Sequence, residues 1–186
     1  MIIPILAVVI RALWLVIEYP YLRRHKIKPA QDWDKHSAIF WDVAHVCELI
    51  GVILGFIGLG RIQTDTNFIG LFGLTLLLAG VIIRWVAIYT LGRYFTSVVM
   101  IKEDHRIIQR GLYKYLRHPA YTGTLIGHLG IGLSFSNWFT ISFSSIPYLV
   151  AALYRMQVEE KVLKDSFGEE YVRYAKRTKR LIPKVY

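Results

Sequence analysis

The chain has 186 residues, 54% of them hydrophobic and 19% charged, with a formal net charge of +10. Its long uncharged runs exclude an ordinary soluble domain and point to an integral membrane protein. In that setting a basic excess marks loops facing anionic lipid headgroups rather than a nucleic-acid surface.

The first apolar run covers about residues 2–22 and carries Arg11 and Glu18. It lacks a basic start and a small-residue cleavage site, so it reads as a retained transmembrane helix rather than a signal peptide. The second, about 38–60, holds Asp42, His45 and Glu48, and also Cys47, the single cysteine, which reads as a small buried hydrophobe. The third, about 67–91, has Arg84 inside it. The fourth, about 120–156, is too long for one span of about 20 residues. SFSNW at 134–138 is a plausible tight turn, so this region is expected to be a helical hairpin. The last helix continues without Pro or Gly from Tyr148 to Gly168 and outlasts the bilayer. After Gly168, Tyr171, Tyr174 and Ala175 share one face of a short amphipathic helix, which Pro183 stops.

The expected fold is therefore all-α and polytopic, with about five transmembrane helices including a hairpin. All 23 Lys and Arg except Arg11, Arg61 and Arg84 fall in three segments: 23–35, 92–118 and 155–186. Five spans put all three on one side, which four would not. The N-terminus is then outside, and the C-terminal helix and any site near it are cytosolic. Residues 1–186 form a single membrane domain, with N-terminal helices over 1–91 and a functional core over 92–186. Trp14, Trp33, Trp41, Trp85 and Trp138 mostly fall near expected interfaces. The GxxxG pairs Gly51/Gly55 and Gly123/Gly127 indicate close helix packing.

Chemistry is read from the charges. The six histidines form no HxxH, HxxxH or HExxH pair, which speaks against a metal site. Asp42 and His45 share a helix face near the expected cytosolic end, as site residues or as solvated interfacial ones. Arg84 needs a partner, for which Glu48 is one candidate. Arg155 and Glu159 lie four apart on one helix face. The bland reading is a surface salt bridge; the functional one has Arg155 holding a carboxylate bidentately and Glu159 accepting from an ammonium.

Two stretches carry a resemblance: GLYKYLRHPAY at 111–121 and VEEKVLKDSFGEEYVRYAKRTKRLIP at 158–183. A basic G-x-Y loop, R-H-P-x-Y, a hairpin, an E-E pair, F-G-x-x-Y and a basic R-L-x-P ending occur in order. This half of the chain, about 92–186, resembles the isoprenylcysteine carboxyl methyltransferase family, related to the phospholipid N-methyltransferases. The first ninety residues match it only as helical spans. The acidic run before F-G is shorter here than in eukaryotic members, with only Glu159 and Glu160.

The resemblance implies a membrane methyltransferase that uses S-adenosylmethionine on the cytosolic side. Carried over, the cofactor positions are His105, Arg106, Ile107, Ile108, Tyr113, His118, Pro119, Ala120, Tyr121 and Glu159. Arg155 matches the family's substrate-contacting, catalytic arginine. Tyr113 and Tyr121 then offer π-faces to a sulfonium. A carboxylate acceptor is ionised at pH 7 and needs no base; an amine or thiol would need one, and Glu160, His118 or a tyrosine are the nearby candidates. The implied acceptor is an isoprenylcysteine-like lipophilic carboxylate, presented as a small molecule or a lipidated chain within membrane lipid. Phospholipid or other N- or S-methylation is the alternative. Less favoured are a sterol-reductase-like enzyme and a lipid-binding module without catalysis.

Overall fold

The structure is a computed structural model that describes residues 2–24, 37–63, 66–96, 101 and 104–183. Lys26, Lys28, Lys35, Lys102 and Lys184, with His25, Trp33 and His36, lie outside the described residues, so that part of the charge argument has no structural counterpart.

Six α-helices run in order: α1 (Ile2–Arg24), α2 (Ser37–Ile57), α3 (Thr66–Leu91), α4 (Pro119–Ser134), α5 (Trp138–Phe167) and α6 (Glu169–Arg177). The described residues contain only isolated β-bridges and no strand. Three segments, Ile2–Tyr21, Ile39–Ile57 and Asn67–Tyr94, are long and apolar enough to cross a membrane. Ile2, Val16, Ile57, Phe68 and Ile82 lie exposed on these helices, a surface suited to lipid rather than water.

The expected hairpin is present. α4 ends at Ser134 and α5 starts at Trp138. Ser136 takes φ 47° in the turn. Asn137 caps α5: its Oδ1 accepts from the Phe139 and Thr140 amides at 2.9 and 3.1 Å. Its Nδ2 donates to the Leu59 carbonyl at 2.7 Å, fixing the turn against the end of α2. α5 has 30 residues, about 45 Å at ~1.5 Å per residue.

Small residues set how closely the hairpin packs. A Cβ on Gly123 would lie 2.6 Å from the Arg84 backbone nitrogen, so α3 and α4 meet backbone to backbone. A Cβ on Gly51 would lie 2.7 Å from Phe143 Cβ, where α2 meets α5. Ala7, Trp14, Leu77, Ile131 and Phe135 form the buried apolar cluster between α1, α3 and α4.

α5 ends at Gly168, whose φ of 54° suits glycine. α6 then stops at Arg177, short of Pro183. The reason is tertiary: Thr178 turns extended, and the tail pairs with the segment before α4. Arg117 N donates to Lys179 O at 2.7 Å, Lys179 N to Tyr115 O at 3.1 Å, and His118 N to Arg180 O at 3.1 Å.

The charges within the helices are paired, though not as the sequence suggested. Arg84 on α3 pairs with Glu18 on α1, not with Glu48. Its Nη1 donates to Thr124 Oγ1 at 2.8 Å. Glu48 instead receives a bidentate fork from Arg11, Nε to Oε1 and Nη2 to Oε2, both at 3.1 Å. A charge facing other helices inside a bilayer needs such a partner.

Candidate active site

A cavity of ≈ 410 Å³ lies between the start of α4, the second half of α5 and the inner faces of α1 and α2. Four segments form its mouth. The first is the stretch His105–Ile108, wedged between helix ends: the His105 ring stacks on Tyr94 at 5.2 Å and meets Phe167 edge-on at 5.7 Å. The second is a single helical turn, Gly111–Lys114, which opens with Gly111 at φ 58° and buries Tyr113. Burial, with Glu159 nearby, pushes the Tyr113 hydroxyl well above its ordinary value, so it stays a phenol. The third is the start of α4, and the fourth is α6, which contributes Tyr171 and Tyr174.

Proline explains the start of α4. Pro119 sits at its first position, where a missing N–H costs no hydrogen bond. The residue before it cannot be helical, and His118 takes φ −127°, ψ 54°. His118 is buried, and its Nε2 lies 3.1 Å from Glu160 Oε1. Glu160 also accepts from Arg117 Nε at 2.8 Å and Arg180 Nη2 at 2.7 Å. Burial raises its carboxyl, but hydrogen bonds from His118, Arg180 and Arg117 outweigh that and hold it well below the ordinary carboxylate range.

α5 brings the two functional candidates to the wall one turn apart. Arg155 is buried, and its Nη1 donates to Ser37 Oγ, at the start of α2, at 3.0 Å. Glu159 Oε2 accepts from the Tyr121 hydroxyl of α4 at 3.1 Å. The Arg155 guanidinium lies near the same hydroxyl.

Thus His105, Arg106, Ile107, Ile108, Tyr113, His118, Ala120, Tyr121, Arg155 and Glu159 all line one cavity. Pro119 does not; it is buried within the helix start. Nor does Glu160, which the cations enclose. Of the α2 charges, His45 reaches the wall while Asp42 lies exposed.

The wall also holds residues that the sequence did not single out for it: Arg11, Trp14, Trp41, Tyr148 and Tyr171. Arg11 and Glu18 carried a signal, being charges in a span. Tyr171 carried one as part of F-G-x-x-Y. Trp41 and Tyr148 had none, since aromatic residues in apolar helices are ordinary. Together these rings extend inward from Tyr121: Trp41 stacks on it at 6.1 Å, meets Tyr148 at 5.7 Å, and Tyr148 stacks on His128 at 3.4 Å. The Tyr171 hydroxyl is buried, on a residue that lines the wall, with no hydrogen-bond partner among the described residues. The arrangement provides a carboxylate, a guanidinium and aromatic faces in one enclosed volume.

Residues 73–165 match the model of the isoprenylcysteine carboxyl methyltransferase family. The chain belongs to this family. Protein-S-isoprenylcysteine O-methyltransferase B of Arabidopsis thaliana is 36% identical over 152 residues, covering 80% of this chain and 74% of that one. The enzyme of the same name from Homo sapiens is 30% identical over 115 residues, covering 60% and 40%. A solved structure described as the eukaryotic intramembrane Ras methyltransferase, an isoprenylcysteine carboxyl methyltransferase, superposes with a TM-score of 0.64 at 23% identity. That likeness shows the fold, over 78% of this chain and about half (52%) of the solved one. Arg155, Glu159 and the start of α4 lie within the family span, whereas Arg11, Trp14, Trp41 and Glu48 lie before it.

Proposed function

We propose that this isoprenylcysteine carboxyl methyltransferase family member methylates the carboxylate of an isoprenylcysteine-like lipophilic acceptor, with S-adenosylmethionine as donor. The observation that carries the reading is the pair Arg155 and Glu159. They lie one turn apart on one cavity wall, each held by a different helix.

The wall residues suit that cofactor. Glu159 accepts from Tyr121 and is accessible enough to take an α-ammonium as well. Tyr113 and Tyr121 line the same cavity as aromatic partners for a sulfonium, and the buried Tyr171 hydroxyl, without a partner among the described residues, suits a polar group of the cofactor. When bound, S-adenosylmethionine supplies an electrophilic methyl group. Arg155 orients the acceptor carboxylate through its planar fork and leaves it ionised. Ser37 limits the freedom of that guanidinium. The helices around the cavity exclude water from it. No base is needed for a carboxylate. An amine acceptor would need one, and Glu160, one of the candidates, is engaged by Arg117 and Arg180 and lies off the wall.

In the bilayer we read α1, α2 and α3 as spans and the α4–α5 hairpin as two more. The N-terminus is then outside, and the cavity mouth, the end of α5 and α6 are in the cytosol. The basic segments gather on that side. Residues 92–186 supply the cofactor end, and 1–91 complete the acceptor end.

Isothermal calorimetry in detergent tests the cofactor site. Wild type should bind S-adenosylmethionine, and Glu159→Ala should weaken binding at least tenfold. Arg155→Ala should keep that affinity while losing methyl transfer to a prenylcysteine analogue. No binding by wild type, or equal binding by Glu159→Ala, would sink the assignment.

A further inference from the structure

The inner end of the cavity is polar, although it lies among the helices that cross the membrane. Arg11, His128 and Tyr148 line it, and Glu48, buried behind them, joins the three. Besides the fork from Arg11, Glu48 accepts from the Tyr148 hydroxyl at 3.1 Å and contacts His128 Nδ1 at 3.1 Å. A carboxylate only accepts, so Nδ1 carries the ring proton. His128 is 1% exposed, its imidazole held flat on Tyr148, and the Trp14 ring lies tilted to it at 5.8 Å. Its position and tautomer are therefore set by three residues, Trp14 of α1, Glu48 of α2 and Tyr148 of α5.

Two hydrogen-bonding atoms in this cluster are left over. His128 Nε2 and Arg11 Nη1 make no hydrogen bond among the described residues, and both side chains line the cavity. Glu48 is already satisfied by Arg11, Tyr148 and Nδ1. Holding the bundle together does not require the second imidazole nitrogen to remain open to the cavity. An all-hydrocarbon ligand there would desolvate both atoms and return nothing.

The level of the cluster is also defined. Tyr148 and Arg155 are seven residues apart on α5, close to two turns, and both face the cavity. His128 and Tyr121 have the same spacing on α4. The open nitrogen thus lies about 10 Å inward from the Arg155–Tyr121 level, at ~1.5 Å per residue.

We propose that His128, with Arg11, forms a subsite for a hydroxyl on the lipophilic part of the acceptor, about 10 Å from the methylated carboxylate. A hydroxyl suits either open atom, as donor to Nε2 or as acceptor from the guanidinium. His128 is then a specificity residue without a part in the methyl transfer. The inference rests on the proposed function only in placing the carboxylate at Arg155.

The test is binding, not turnover. Two N-acetyl-S-alkylcysteines are titrated by calorimetry, identical except for a hydroxyl on the chain about 10 Å from the carboxylate. Wild type should bind the hydroxylated compound at least tenfold more tightly. His128→Leu should remove that preference while keeping affinity for the plain compound and for S-adenosylmethionine. Equal affinities in wild type, or a preference that persists in His128→Leu, overturns the proposal. Nitrogen-15 spectra of wild-type histidine side chains decide the matter if the variant does not fold. One imidazole signal should move with the hydroxylated compound alone, and no such movement overturns the subsite. If the preference is found but neither compound is methylated, the proposed reaction fails and the subsite stands.

Discussion

The Tyr121 hydroxyl donates to Glu159 Oε2 at 3.1 Å and lies near the Arg155 guanidinium, so one α4 phenol sits beside both functional candidates of α5. It spans the two arms of the hairpin where the cavity opens. Tyr121→Phe keeps the ring and removes the bond. Cofactor affinity should fall about threefold to tenfold, in line with the net worth of one ordinary hydrogen bond, since the hydroxyl acts on the cofactor only through Glu159. Calorimetry with S-adenosylmethionine measures it, and an unchanged affinity would show that the hydroxyl does not position Glu159.

Glu160 makes stability depend on acid. Its folded carboxyl is held below the ordinary value of 4.5 by His118, Arg180 and Arg117, against the opposing effect of burial. Such a group stabilises the fold above about pH 4.5 and loses that contribution as pH falls through the folded value. Glu160→Gln should cost about 1–2 kcal/mol at neutral pH, a figure kept low because the site is partly solvated. The gap between variant and wild type should narrow as pH drops below about 4.5. Thermal unfolding in detergent across pH 3–7 (about that range, given the ordinary carboxyl value) reads both effects. A pH-independent gap would show that the charge is not what Glu160 contributes.

Glu18 and Arg84 close α1 onto α3. Glu18→Gln leaves a buried guanidinium without its counter-charge, a loss of about 3–5 kcal/mol. Removing both charges, with Arg84→Met added, should recover most of it. The melting temperatures of the single and double variants give the coupling. Equal losses in both would show that the ion pair is not the relevant contact.

The α3–α4 contact tolerates no side chain at Gly123, because a Cβ would lie 2.6 Å from the Arg84 nitrogen. Gly123→Leu should destabilise by about 1–3 kcal/mol or more and shift Tyr121 with its helix. Lowered melting temperature and lowered cofactor affinity should appear together. A stable variant with full affinity would contradict the packing.

The membrane helices, the hairpin break and the end of α5 were legible in the sequence because each has a local cause. Span length is set by hydrocarbon thickness. The α4 start follows from Pro119, and the α5 end from a glycine at φ 54°. The pairing of charges was not legible. Glu48 looked like a partner for Arg84 because both are carboxylate and guanidinium within spans. Helix order in the bundle instead set Glu18 against Arg84 and Arg11 against Glu48.

The end of α6 shows the same division. Pro183 is an evident local stop, yet the helix ends at Arg177, where the tail pairs with residues 115–118. Arg155 and Glu159 were visible as an i, i+4 pair, a spacing that fits a surface salt bridge equally well. Only the packing of α2 and α4 against α5 brings Ser37 to Arg155 and Tyr121 to Glu159. By itself the sequence determined the helices, their ends at proline and glycine, and the family motifs, since these depend on neighbours along the chain. The tertiary structure decided which charges meet, that Pro119 lies off the cavity wall, and that His128 lies on it. Those depend on which helix faces are brought within hydrogen-bonding distance.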